Sequence, residues 1–98
     1  MLVLPASLTH QEARDTLGML SQALEREPEG ATVLLDASPL QQFDSSALAV
    51  FLECQRQARA SGRRCVLKHP PDALVALAKL YGVDALLPTG DVPIIVEG

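Results

Sequence analysis

Ninety-eight residues with an apolar share of 48% bound this chain to one domain around one core and exclude a disordered polymer. A formal net charge of −4 at pH 7 disfavours DNA, RNA or an anionic membrane as a direct partner. The aromatic residues are Phe43, Phe51 and Tyr81, too few to stack bases, so a nucleic-acid partner is not expected and the core must be built of Leu, Val and Ala.

Met1 to Ala6 reads as a short first strand, interrupted at Pro5 and therefore at an edge. The opening apolar run stops at Pro5, too early for a signal peptide, and no stretch is long enough to span a membrane. A cytoplasmic protein with no direct membrane insertion is expected. Thr9 and Glu12 have capping-box spacing, and Ala13, Leu17, Leu20 and Leu24 follow as one apolar helical stripe that fades in the charged turn 25–30. Thr32 to Asp36 is an apolar, β-rich run of the buried-strand type, and 37–43 reads as a loop containing Pro39.

Asp44 then opens a second helix whose inward stripe takes Leu48, Phe51, Leu52, Gln55 and Ala58, with Gly62 at the position after its end. Residues 63–68 form the next strand. Pro70 and Pro71 introduce a third helix lined by Leu74, Leu77, Ala78 and Tyr81 and stopped at Gly82. Residues 83–88 are ambiguous between strand and turn, and Val92 to Val96 is either an edge strand or a tail packed on the core. The order β-α-β-α-β-α-(β) specifies an α/β fold, with strands 32–36 and 64–68 as parallel neighbours and both Leu35 and Val66 buried between the layers.

Cys54 and Cys65 fall in a helix and a strand, match no zinc spacing, and are expected to be reduced core thiols. Ser45 and His69 would be the nucleophile and base of an enzyme, yet the serine is not in a G-x-S-x-G elbow and no carboxylate pair converges, so no catalytic residue, metal or cofactor is expected. Arg56, Arg59, Arg63 and Arg64 gather at the end of the second helix, where cations relieve the dipole, and a partner-facing role stays open for them. Asp44, Ser45 and Ser46 sit where backbone N–H groups point outward, so an exposed serine there stands beside a place that favours negative charge. The plain alternative is that Asp-Ser-Ser only starts the helix. Leu80 falls outside the apolar stripe of its helix and hints at a contact surface.

The strand Val33 to Asp36, the loop, and then Phe43-Asp44-Ser45-Ser46-Ala47-Leu48-Ala49 resemble the signature of STAS domains, the fold of bacterial anti-sigma-factor antagonists. In those antagonists the motif reads Asp-Ser-Ser-Gly, and the serine after the aspartate, matched by Ser45, is phosphorylated by a partner kinase. The segment Leu77 to Val83, closing at Leu86-Leu87-Pro88, is similar to the STAS subunit of Mla-type phospholipid ABC transporters. There the small domain sits on the cytoplasmic ATPase subunit and supports its assembly and activity.

The resemblance covers about 31–88 and implies a single STAS domain over 1–98, a small mixed β-sheet with helices packed on it, and 89–98 as a last strand or tail. It further implies a non-catalytic subunit that binds an ABC transporter ATPase through Asp44, Ser45 and Ser46, with Leu80 at the edge, held at the inner membrane only through that complex. The alternative it leaves is an antagonist whose partner is an anti-sigma factor serine kinase and whose switch is phosphorylation of Ser45. Two departures stand out. STAS domains begin with two strands where 1–8 supply one at most, leaving an edge for Val92 to Val96 to cover. Ala47 replaces the glycine of the antagonists and is expected to crowd the first helical turn.

Overall fold

The computed structural model describes residues 2–87. Strands β1 (Leu2–Val3), β3 (Thr32–Asp36) and β5 (Arg64–Lys68) form one sheet in the order β1-β3-β5, and β2 (Ser7–Leu8) pairs with β4 (Gln42–Phe43) as a separate ribbon. The helices are α1 (Ala13–Arg26), α2 (Ser45–Ala60) and α3 (Asp72–Leu80), followed by a single 3-10 turn, Asp84–Leu86. Every described ladder is parallel. Crossovers β1-α1-β3 and β3-α2-β5 step across the sheet in one direction, so a shared right-handed sense puts α1 and α2 on the same face. The two helices pack against each other there.

The β3–β5 register decides which side chains meet that layer. Val33 lies opposite Cys65 and Leu35 opposite Leu67, and all four are buried, as strand alternation requires. Leu34 and Val66 share the other face and stay partly exposed. The expectation that Leu35 and Val66 are buried together therefore holds for Leu35 alone. Parallel neighbours point the same way at matched positions, and Leu35 is matched with Leu67, one residue beyond Val66.

Residues 1–8 supply two strand segments rather than one. Pro5 has no N–H to give a ladder, so the chain leaves β3 after Leu4 donates to the Asp36 carbonyl at 2.9 Å. The Ala6 carbonyl then accepts from Gln41 and Gln42 at 2.7 and 2.9 Å, which starts the β2–β4 ribbon. Residues 42–43, expected in a loop, are thus strand, and their partner lies 35 positions away in sequence, where no local pattern reveals it.

Leu20 and Leu24 of α1 are buried, and Ala13 and Leu17 pack at the margin. The helix starts at Ala13 rather than just after Thr9 because residues 9–12 close a turn first. The Glu12 N–H donates to the Thr9 carbonyl at 3.0 Å, while the Thr9 N–H and hydroxyl both donate to the Glu12 carboxylate at 2.8 Å. In α2, Leu48, Phe51 and Ala58 are buried as expected, together with Ala47, Val50 and Cys54. Leu52 and Gln55 are only half-buried. The helix stops where Gly62 takes φ +74°, a left-handed conformation that costs glycine least, and Arg63 donates back to the Ala58 carbonyl at 2.7 Å.

Leu74 and Ala78 anchor α3, but Tyr81, expected on its core stripe, is 57% exposed. The chain turns at Gly82 (φ +72°), and Val83 and Leu87 supply the apolar contacts at this end of the core. Residues 84–86, ambiguous from sequence, are neither strand nor plain turn but the 3-10 turn. The run Val92 to Val96 lies outside the described residues, and so does any cover it gives to a sheet edge.

Face assignment within β5 is open to test. Leu67→Asp puts an unpaired carboxylate into the layer under the helices, at a cost of several kcal/mol against a total of about 5–15 kcal/mol for a domain. It is expected to abolish cooperative thermal unfolding by circular dichroism. Val66→Asp, one residue away on the partly exposed face, is expected to keep a cooperative transition; if it unfolds the protein as Leu67→Asp does, the face assignment is wrong.

Candidate functional site

The start of α2 is built by two chain segments that are remote in sequence. Strand β4 delivers Asp44 in an extended conformation (φ −134°, ψ −165°), which turns its carboxylate over the first helical turn. One oxygen, Oδ1, accepts the Ser46 N–H at 2.8 Å. The other, Oδ2, accepts the His10 N–H at 3.1 Å and lies 3.4 Å from the His10 ring nitrogen Nδ1. The Ser46 amide, and after it the His10 amide, hold the Asp44 carboxyl below its ordinary range. The loop that carries His10 is braced in turn. Glu12 gathers the Thr9 donors and the Ser7 hydroxyl, the last at 3.2 Å, and the Thr9 amide is the main cause that keeps the Glu12 carboxyl low.

Ser45 is exposed and Ser46 half-buried beside it. Ala47 is fully buried with its methyl in the core, so it does not crowd the solvent side of the turn as expected from the glycine comparison. Next to Ser46 an open groove of about 470 Å³ runs between α1 and α2, lined by Ala13, Arg14, Leu17, Ser46, Ala49, Val50 and Glu53. Its floor is apolar, and Arg14 and Glu53 stand on its walls. Arg56 holds Glu53 in a two-pronged pair, with Gln57 adding a bond at 3.2 Å, and the Arg56 contact is the chief cause that lowers the Glu53 carboxyl to about 2.

Asp44, Ser45 and Ser46 are consecutive at the start of α2, and Leu80 is the last residue of α3. Leu80 is 79% exposed, and Tyr81 just after α3 and Leu86 in the 3-10 turn are exposed too. Gln55, with its amide turned to satisfy both neighbours, donates to the Leu86 carbonyl and accepts from Arg59. That contact lies ten residues along α2 from Ser45, about 15 Å at the helical rise. His10 is the site residue that sequence spacing missed. Thirty-four positions separate it from Asp44, and only the β2–β4 pairing draws the two together.

No hydrogen bond joins Ser45 to His69, which follows β5 with φ +57°. Three of the four arginines have partners within the domain. Arg56 is committed to Glu53, Arg59 to Gln55, and Arg63 donates from Nε to the Glu27 carbonyl at 2.8 Å. Among the described residues no group of three or more His, Cys, Asp or Glu is placed to hold a metal ion, and no helix is long and apolar enough to cross a membrane.

The start of α2 thus presents a capped serine beside an apolar groove on an α/β layer. The family profile described as "Mlab, STAS domain" matches residues 1–88, and the chain belongs to the STAS domain family. The match begins thirty residues before the segment that carries the visible resemblance, so it takes in the N-terminal strands and α1 as well. STAS domains mediate protein–protein interactions. No curated protein matches the chain closely enough to serve as a relative.

The Asp44 cap carries a pH signature. Its pKa is depressed in the folded state, so its contribution is complete above the unfolded value of about 3.9 and is lost as pH falls through the lower folded value. Asp44→Ala is expected to melt roughly 5 °C below the parent protein at pH 7. The gap should close as both are titrated below about pH 4. A gap that is unchanged at pH 2.5 would mean the carboxylate's charge contributes nothing to the cap.

Proposed function

We propose that this STAS domain is a non-catalytic subunit that docks on the cytoplasmic ATPase of an Mla-type phospholipid ABC transporter and supports its assembly and activity. The observation that carries the reading is the pairing of an exposed Ser45 at a rigidly capped helix start with the apolar groove between α1 and α2. Exposed small residues let a partner's backbone approach closely, the groove offers apolar area, and Arg14 and Glu53 supply polar edges that fix orientation. The family description, Mlab, supports the choice of transporter. Membrane association in this reading comes from the complex, with Ser45, Ser46 and the Asp44 cap at the contact and Leu80 at its edge.

A second reading shares the surface. Ser45 is exposed and lies at the N-terminal end of a sixteen-residue helix, so a kinase can reach it and a phosphate placed there is favoured by the dipole. An anti-sigma-factor antagonist switched by a serine kinase would use that property.

Affinity purification from the native cell separates the two. Recovery of an ABC ATPase with its permease supports the transporter, and recovery of a small serine kinase supports the antagonist. With the ATPase in hand, Ser45→Glu is expected to keep its melting temperature within about 2 °C, since a helix N-terminus accepts a carboxylate. Its affinity is expected to fall about thirtyfold, the loss of one central contact worth about 2 kcal/mol. Leu80→Asp should weaken binding less than about threefold, as a change outside the contact centre does. A folded Ser45→Glu variant that binds as tightly as the parent would move the interface elsewhere.

A further inference from the structure

Cys54 of α2 and Cys65 of β5 face each other inside the core, with their Sγ atoms 3.4 Å apart and both thiols free. Cys54 is 1% and Cys65 5% exposed, and the sulfur of each is the other's hydrogen-bond partner. The two residues belong to different elements, a helix and the strand it crosses over to reach, joined through the turn at Ser61 and Gly62. Nothing in the protein-binding surface uses them.

We infer that Cys54 and Cys65 are a modification site, a dithiol that a hydroperoxide converts to an intramolecular disulfide stapling α2 to β5. The geometry requires the sulfurs, already in contact, to close from 3.4 Å to about 2.05 Å. Either sulfur can donate in this contact; with Cys65 as the donor, Cys54 is the easier of the two to ionise, and the same bond together with burial raises Cys65. The contact is symmetric enough that the reaction gives the same product with the two roles exchanged; with Cys65 donating, Cys54 is the attacking sulfur.

Its electron pair takes the terminal oxygen of the hydroperoxide, the O–O bond breaks, and the leaving oxygen departs as water or alcohol with the thiol proton. The Cys65 sulfur then attacks the Cys54 sulfenic acid, the S–O bond breaks, and water leaves with the Cys65 proton. Two thiols lose two electrons and two protons, and the hydroperoxide is reduced. Burial makes the reaction slow and selects a small oxidant, while the resulting bond crosses an eleven-residue separation and constrains the unfolded chain.

The test uses the full chain, folded, with hydrogen peroxide. After treatment the protein is denatured, free thiols are alkylated with iodoacetamide, and intact mass and a non-reducing peptide map are recorded. Expected are a mass about 2 Da lower with no alkylation, one linked pair of peptides carrying Cys54 and Cys65, and full reversal by dithiothreitol. The oxidised form should melt at a higher temperature than the reduced form. Cys54→Ser and Cys65→Ser should each lose the mass change. Two alkylated cysteines after prolonged peroxide, overoxidised single sulfurs without a link, or a disulfide only between chains would each overturn the assignment. The parent protein's mass and map decide the question even where a serine variant fails to fold.

Discussion

Asp44 divides its carboxylate between two backbone amides, Ser46 of its own helix and His10 of a loop thirty-four residues earlier. The first bond satisfies a donor that the start of α2 leaves unpaired, and the second ties that helix start to the turn between β2 and α1. The candidate surface at the start of α2 depends on this double use. Without the His10 bond the loop 9–12 would have only its own Glu12 brace. Without the Ser46 bond the first turn would lack its side-chain cap. Because both acceptors sit on one rigid group, the mouth of the α1–α2 groove and the exposed Ser45 are set by the same anchor.

What was legible in the sequence follows from range. Strand β3 coincides with its expected span, and β5 begins one residue inside its own, because each is an apolar run closed by turn residues. Helix α2 is bounded by Asp44 and Gly62, whose cap chemistry acts over two or three positions. The ladders of β2 and β4 are two residues each, too short to show alternation, and their pairing is wholly non-local. His10 is invisible for the same reason, since its place at the site exists only once β2 lies beside β4. Val66 was misplaced for a different reason. Composition marks 64–68 as a strand but does not say which parity faces the helices, and only the register against Leu35 decides it.

Tyr81 and Leu80 show how a helix end escapes a periodicity argument. The stripe through Leu74, Leu77 and Ala78 extrapolates to Tyr81, yet α3 closes at Leu80 and the chain reverses at Gly82. Val83 and Leu87 then pack where the extrapolated stripe would have. The phenol is left at the surface with Leu80 and Leu86, where its polar tip is solvated at no cost. Ser45 stands in the first turn of α2, while the Leu86 carbonyl meets Gln55 ten residues along the same helix.

Helix α2 joins these parts. Its first turn holds the cap and Ser45, and its outer face supplies Ala49 and Glu53 to the groove. Its inner face places Cys54 against β5, and its last turns carry Gln55 and Arg59 toward the 3-10 turn. A rigid rod transmits displacement along its length, because its internal hydrogen bonds leave few soft dihedrals. A covalent link at Cys54 would therefore restrain the rod about 14 Å from Ser45, nine residues at the helical rise. The thiol pair lies on the core side of α2 and Ala49 and Glu53 on its groove side, so the proposed link and the proposed docking face occupy different sides of one helix.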